Sequence, residues 1–206
     1  MRTSLLMAMV HRSQILQEFL TATQEAISAR TGTNTSAAIA MERVIKSMDI
    51  SGSASDFIKP RTLPVCSFLD PAIAGAKHGP TDVARVASAI KGLAPELCWR
   101  LKASGDPIFA NGHANADILG SVPEALEQRD DVRIGLSLMA PGITYPDHSH
   151  PPEEVYLALS RGFWRHESGE WHEPGLGGIF YNPRGITHAM RSSCEPFLAI
   201  WCLPID

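Results

Sequence analysis

The 206-residue chain has no CxxC pair, no run of basic residues, no internal repeat and no apolar stretch long enough to span a bilayer. Each absence excludes something. The four cysteines, Cys66, Cys98, Cys194 and Cys202, are widely scattered, so a zinc site built on paired thiolates is excluded and free buried thiols are expected. Cys202 falls in the apolar run FLAIWCL and reads as core. The formal net charge is −4 without a basic cluster, which makes nucleic acid and anionic membrane unsuitable partners. The opening MRTSLLMAMVHRSQ has only a six-residue apolar run before His11 and Arg12, too short for a secretory h-region or a membrane span. A cytoplasmic location is expected, and a periplasmic form with its leader removed stays open. Hydrophobic residues make up 44%, ordinary for a soluble globular chain of one domain with a sizeable core.

Two regions differ in pattern. Residues 1–105 read as helical. Ile15, Leu16, Phe19, Leu20 and Ile27 form one apolar stripe, and Ala38, Met41, Val44, Ile45 and Met48 form another after TGTNTS. A third helix is expected over 82–93, capped by Thr81 or Asp82. Between them Pro60, Pro64 and Pro71 predict irregular chain. Residues 106–206 read as strands. DVRIGLSLMAPG alternates Val132, Ile134, Leu136 and Leu138 with Arg133, Gly135 and Ser137, as a half-buried strand does. The segment around HESGE predicts a hairpin, and GGIFYNPRGITHAMRSS and PFLAIWCLP supply further strands. Short, regularly spaced strands suggest an antiparallel barrel or jelly roll, with the N-terminal helices packing outside it or at a subunit contact.

What is present in quantity is ligand chemistry. DHSHPPEEVY brings His148, His150 and Glu154 together, and YNPRGITH adds His188. Imidazole and carboxylate suit Fe(II), Zn, Mn, Cu or Ni, and spacing alone does not choose among them. Positions 148, 150, 154 and 156 are all even, so on an unbroken strand they would share a face. Pro183 and Gly185 would turn the chain so that His188 returns toward the others. Three histidines and one glutamate leave room for a further ligand at a five- or six-coordinate metal, as catalysis requires. Tyr156 would lie on the ligand face. Beside a dication its phenol, normally titrating near 10, could become a tyrosinate base; equally, it could simply pack there with its hydroxyl bonded. Trp201 and Tyr145 are candidate walls for a ligand cation. His166 and His172, around HESGE, are expected in solvent-facing loop.

The run Gly142, His148, His150, Glu154, Gly162 and the run Gly177, Pro183, Gly185, His188 resemble the two cupin motifs. Gly162 arrives one residue late, and Ser192 stands where asparagine is usual. The resemblance implies a mainly β cupin, a double-stranded β-helix or jelly-roll barrel, over 106–206, with an α-helical N-terminal region over 1–105. YPDHSHPPEEVY with NPRGITHAM further resembles the cupin-type dimethylsulfoniopropionate lyases, which release dimethyl sulfide and acrylate. That resemblance implies His148, His150, Glu154 and His188 as metal ligands, Tyr156 as general base and Tyr145 lining the site. It also implies zinc, iron or manganese as the metal and a small substrate bearing a carboxylate and a sulfonium. A homodimer is expected by analogy only. The same ligand set also fits a cupin dioxygenase or isomerase of a small carboxylic acid, or a non-enzymatic sensor.

Overall fold

The computed structural model describes residues 12–54 and 59–206; the apolar run near the N-terminus lies outside the described residues. No helix among them is long and apolar enough to cross a membrane.

Helices α1 (Gln14–Ser28) and α2 (Ser36–Met48) follow Ser13 and Thr35. The hydroxyls of these two residues accept from Leu16 N and Ala38 N, satisfying amides that have no partner within the helix. The stripes are those of the sequence, except that Ile15 is turned outward. A short strand, β1 (Ser53–Ala54), follows. The proline-rich stretch is more regular than expected: a 3-10 turn over Pro64–Phe68 runs straight into α3 (Leu69–Ala76). Pro64 and Pro71 fall in first turns, where a missing N–H breaks no helical bond. Helix α4 (Thr81–Leu93) starts after Pro80 without a side-chain cap. Asp82 is used otherwise, accepting from Arg30 Nη2 at 2.7 Å and so tying α4 to the end of α1.

A one-and-a-half-turn helix, α5 (Pro107–Gly112), leads into the barrel strands. These are β2 (His113–Gly120), β3 (Glu127–Gln128), β4 (Val132–Met139), β5 (Thr144–His148), β6 (Glu154–Ala158), β7 (Gly162–His166), β8 (Ile179–Asn182), β9 (His188–Ser192) and β10 (Phe197–Pro204). They form a sheet ordered β1-β3-β2-β4-β10-β6-β8 and a smaller one ordered β5-β9-β7. One face of the larger sheet carries Ile134, Leu136, Leu198, Ile200 and Cys202, in one core with Phe19, Leu20, Val86 and Ile90 of the helices. Its other face carries Met139, Tyr156 and Trp201, which meet Tyr145, Trp164 and Met190 of the smaller sheet. The fold is thus a cupin double-stranded β-helix with helices on the outside of one sheet. The half-buried reading of β4 is corrected accordingly: helices cover its apolar face, while Gly135 and Ser137 are buried on the opposite, barrel side. Among the cysteines, Cys98 and Cys202 are buried and Cys66 partly so, but Cys194 is exposed.

Candidate metal centre

The ligand-type residues do not share one strand. β5 ends at His148, the chain bends through Pro151 and Pro152, and β6 begins at Glu154 in the other sheet. Proline cannot donate to a ladder, so the pair ends β5 and lets the chain change sheets. The residues therefore converge from two walls of the barrel. His188 opens β9 opposite His148 in register. Gly185, with φ 69, makes the turn before β9 and donates its N–H to His150 O at 3.1 Å, which fastens the second motif to the first. Ser192, in the place of the usual asparagine, accepts from Ile143 N and donates to Ala140 O, each at 2.8 Å, and so fixes β9 to the turn before β5. Gly162 opens β7, where a Cβ would lie 2.4 Å from Phe197 Cδ2.

One ring nitrogen from each of His148, His150 and His188 lies within 4.8 Å of the other two, a group that could hold a metal ion. The other nitrogens explain why. His148 Nδ1 faces Pro146 O at 3.0 Å, His150 Nδ1 faces Pro152 O at 2.9 Å, and His188 Nδ1 faces Ile186 O at 3.0 Å. A carbonyl only accepts, so each Nδ1 carries the proton and each Nε2 is left to point at the shared space. Glu154 Oε2 stands 3.2 Å from His150 Nε2 and 3.4 Å from His188 Nε2. The latter contact lacks hydrogen-bond geometry, so His188 Nε2 is buried without a hydrogen-bond partner. Burial, with His188 alongside, pushes His148 down to about 3, which keeps it in the neutral form that ligates. For Glu154 burial opposes ionisation, but the adjacent imidazoles of His150 and His188 outweigh it and bring the carboxyl to about 2. In His150 the Glu154 carboxylate overcomes burial and raises the pKa.

His166 corrects the sequence reading. His172 is exposed, but His166 ends β7 opposite His188 in register. Its Nε2 donates to Asn182 Oδ1 at 2.9 Å, and Asn182 Nδ2 donates to Glu154 Oε2 at 2.9 Å. This relay aims the carboxylate, and Asn182 is completely buried. Neighbouring Glu153 points elsewhere, bonded at 2.6 Å by both Arg43 and the Tyr181 hydroxyl. Asn182→Leu is expected to weaken divalent-metal affinity by roughly 10–100-fold, as loss of a partner to a ligand usually does. Competition against a chromophoric chelator measures it.

A cavity of about 270 Å³ opens on the cluster, walled by Tyr145, Tyr156, Trp201 and the three side chains His148, His150 and Glu154. Tyr156 pairs in register with Trp201 on one side and Phe180 on the other. Burial pushes its phenol well above the ordinary range, and Glu154 pushes the same way. Burial raises Tyr145 too. The protein alone thus keeps both hydroxyls protonated. Trp201 and Tyr145 do line the cavity, but they already carry the protein's own cations: Lys102 Nζ lies 5.1 Å from the Tyr145 ring centre and Arg133 Cζ 5.4 Å from that of Trp201. Sequence reasoning missed Lys102, Asn115, Arg133 and Ser137, which also line the cavity. Arg133 and Ser137 were detectable as the polar face of β4; Lys102, on irregular chain, left no signal.

Known proteins share this architecture. The dimethylsulfoniopropionate lyase DddQ from Ruegeria pomeroyi superposes with a TM-score of 0.66 at 20% identity, covering 95% of this chain and 93% of that one. A chain from the crystal structures of the lyases RdDddP and RnDddQII gives the same score at 18% identity, covering 92% of each. In sequence, the protein provisionally named dimethylsulfoniopropionate lyase DddL in Cereibacter sphaeroides is 30% identical over 137 residues, 66% of this chain. DddQ of Ruegeria pomeroyi is 37% identical over 65 residues, 30% of this chain. The matched stretches span 54% and 31% of those relatives' own lengths. Residues 35–199 match the profile of the dimethylsulfoniopropionate lyases, from the cap of α2 to the middle of β10. With α2 to α5, the smaller sheet, most of the larger one and the imidazole cluster inside that match, the chain belongs to the dimethylsulfoniopropionate lyase family.

Proposed function

We propose that this protein is a metal-dependent carbon–sulfur lyase that converts dimethylsulfoniopropionate to dimethyl sulfide and acrylate by β-elimination, with Tyr156 as general base. Family membership and the names of its relatives support the substrate. The observation that carries the mechanism is the Tyr156 phenol in one cavity with Glu154, His148 and His150. His148, His150, His188 and Glu154 would be the metal ligands. The donor set of three neutral imidazole nitrogens and one carboxylate fits zinc, Fe(II) or manganese. Such an ion, when bound, supplies Lewis-acid stabilisation to the substrate carboxylate and acidifies a neighbouring phenol.

The chain's own residues do the rest. Tyr156 takes the proton from the carbon next to the carboxylate. The electron pair forms the carbon–carbon double bond as the carbon–sulfur bond breaks, and the sulfur departs as neutral dimethyl sulfide, so no general acid is required. Asn182 holds Glu154 in place. Tyr145 lies with its ring centre 4.1 Å from that of His148 and closes the wall behind it. A largely buried lining strengthens each charge interaction relative to water.

The test is headspace detection of dimethyl sulfide, with acrylate measured in parallel, from purified protein supplied in turn with zinc, Fe(II) and manganese. Release with at least one metal, and none after chelation, is expected. No release with any of them would overturn the assignment.

A further inference from the structure

The mouth of the cavity is cationic. Lys102 lies on the irregular chain before α5, within electrostatic reach of Glu154, His113 and His148. Its Nζ stands over the Tyr145 ring, and among the described residues no carboxylate pairs with it. Arg133, on β4, covers Trp201. Its Nη2 donates to Asp117 Oδ1 at 2.7 Å, while Arg100 holds the other oxygen of the same carboxylate. Asp117 is buried, so two guanidinium groups share one fixed negative charge. The Nε of Arg133 is buried without a partner. Arg133 nevertheless lines the cavity together with Lys102, and a charged donor binds an anion more strongly than a neutral one. These cations also stand over the two aromatic rings that a sulfonium would otherwise approach.

We propose that Lys102 and Arg133 form a carboxylate-recognition subsite at the mouth of the cavity, which takes the acid end of a short-chain substrate and disfavours approach by its sulfonium end. The identity of the substrate rests on the lyase reading; the charge it must carry does not. A carboxylate has two oxygens and about four lone-pair sites, so it can be held here with one oxygen still free. Like-charge repulsion against the sulfonium then makes a zwitterion bind in one direction.

The test uses metal-free protein with acrylate as probe, followed by calorimetry. Wild type is expected to bind acrylate, more weakly as salt is raised. Lys102→Met should weaken it roughly tenfold, the loss of one charge-assisted bond, while Lys102→Arg retains it. Trimethylsulfonium should not bind. Lys102 is exposed, so its variants should fold, which a thermal melt checks; Arg133→Gln tests the second cation. In the metal-loaded enzyme Lys102→Met should raise KM more than it lowers kcat. The proposal falls if metal-free wild type does not bind acrylate, if Lys102→Met binds it as tightly as wild type, or if trimethylsulfonium binds in preference. Acrylate binding without dimethyl sulfide release would sink the lyase reading alone. Release with acrylate binding indifferent to Lys102 would sink the subsite alone.

Discussion

Tyr156→Phe is expected to lower the rate of dimethyl sulfide release by about 10²–10⁴-fold, the usual contribution of a positioned general base, while metal content stays at the wild-type level. The substitution removes one oxygen and keeps the ring, which is buried and has its centre 6.0 Å from that of Trp164. Packing against Trp164, Trp201 and Phe180 is therefore retained. Stability should fall by about 0.5–1.5 kcal/mol, the net contribution of the hydroxyl's hydrogen bond to Glu154, and burial and Glu154 both disfavour ionisation of that hydroxyl in the metal-free protein. The same fact gives a spectroscopic check. Adding metal at neutral pH should bring out a tyrosinate absorbance in the wild type and none from Tyr156→Phe. Tyr145→Phe should cost less, since the ring contact with His148 survives. Turnover of Tyr156→Phe within a few-fold of wild type would remove the phenol from the mechanism.

The second large effect is expected from His188→Ala. His188 is completely buried, and its ring centre lies 4.2 Å from that of His148 and 5.1 Å from that of His150. It is the member of the cluster that the other two both face. Without it, bound metal measured by elemental analysis should fall below stoichiometry and dimethyl sulfide release should drop to background. A stability readout separates metal loss from misfolding. Ligand binding stabilises the native state by about 2.7 kcal/mol at a hundredfold excess over Kd, so metal should raise the Tm of the wild type and leave that of His188→Ala unchanged. The metal-free variant should still melt cooperatively, and His188→Gln, which fills more of the volume, provides a second case. Full metal occupancy with unchanged turnover in either variant would contradict the ligand assignment.

Much of the barrel is legible from residue order. The alternation from Val132 to Leu138 marks β4, and FLAIWCLP marks β10, because side chains on a pleated strand must alternate between two environments. The ligand-type residues stand out because histidines and a glutamate in such density have few other uses. Strand limits are less visible. The even spacing of 148, 150, 154 and 156 suggested one strand, yet Pro151 and Pro152 divide it between two sheets, and convergence comes from barrel closure instead. Contacts that depend on register between distant strands are not visible at all. Asn182 reaches Glu154, and His166 reaches Asn182, only because β8 lies beside β6 and the smaller sheet faces them. Helix α3 was hidden because a proline in a first turn looks the same, in sequence, as a proline in a loop.

The most direct measurement is anomalous diffraction at the absorption edge of the metal that supports dimethyl sulfide release, collected on crystals of the loaded protein. One peak among the Nε2 atoms of His148, His150 and His188 and the carboxylate of Glu154, with the Tyr156 hydroxyl facing it across the cavity, is the predicted result. A peak elsewhere, or one that leaves His188 out of contact, would contradict the account.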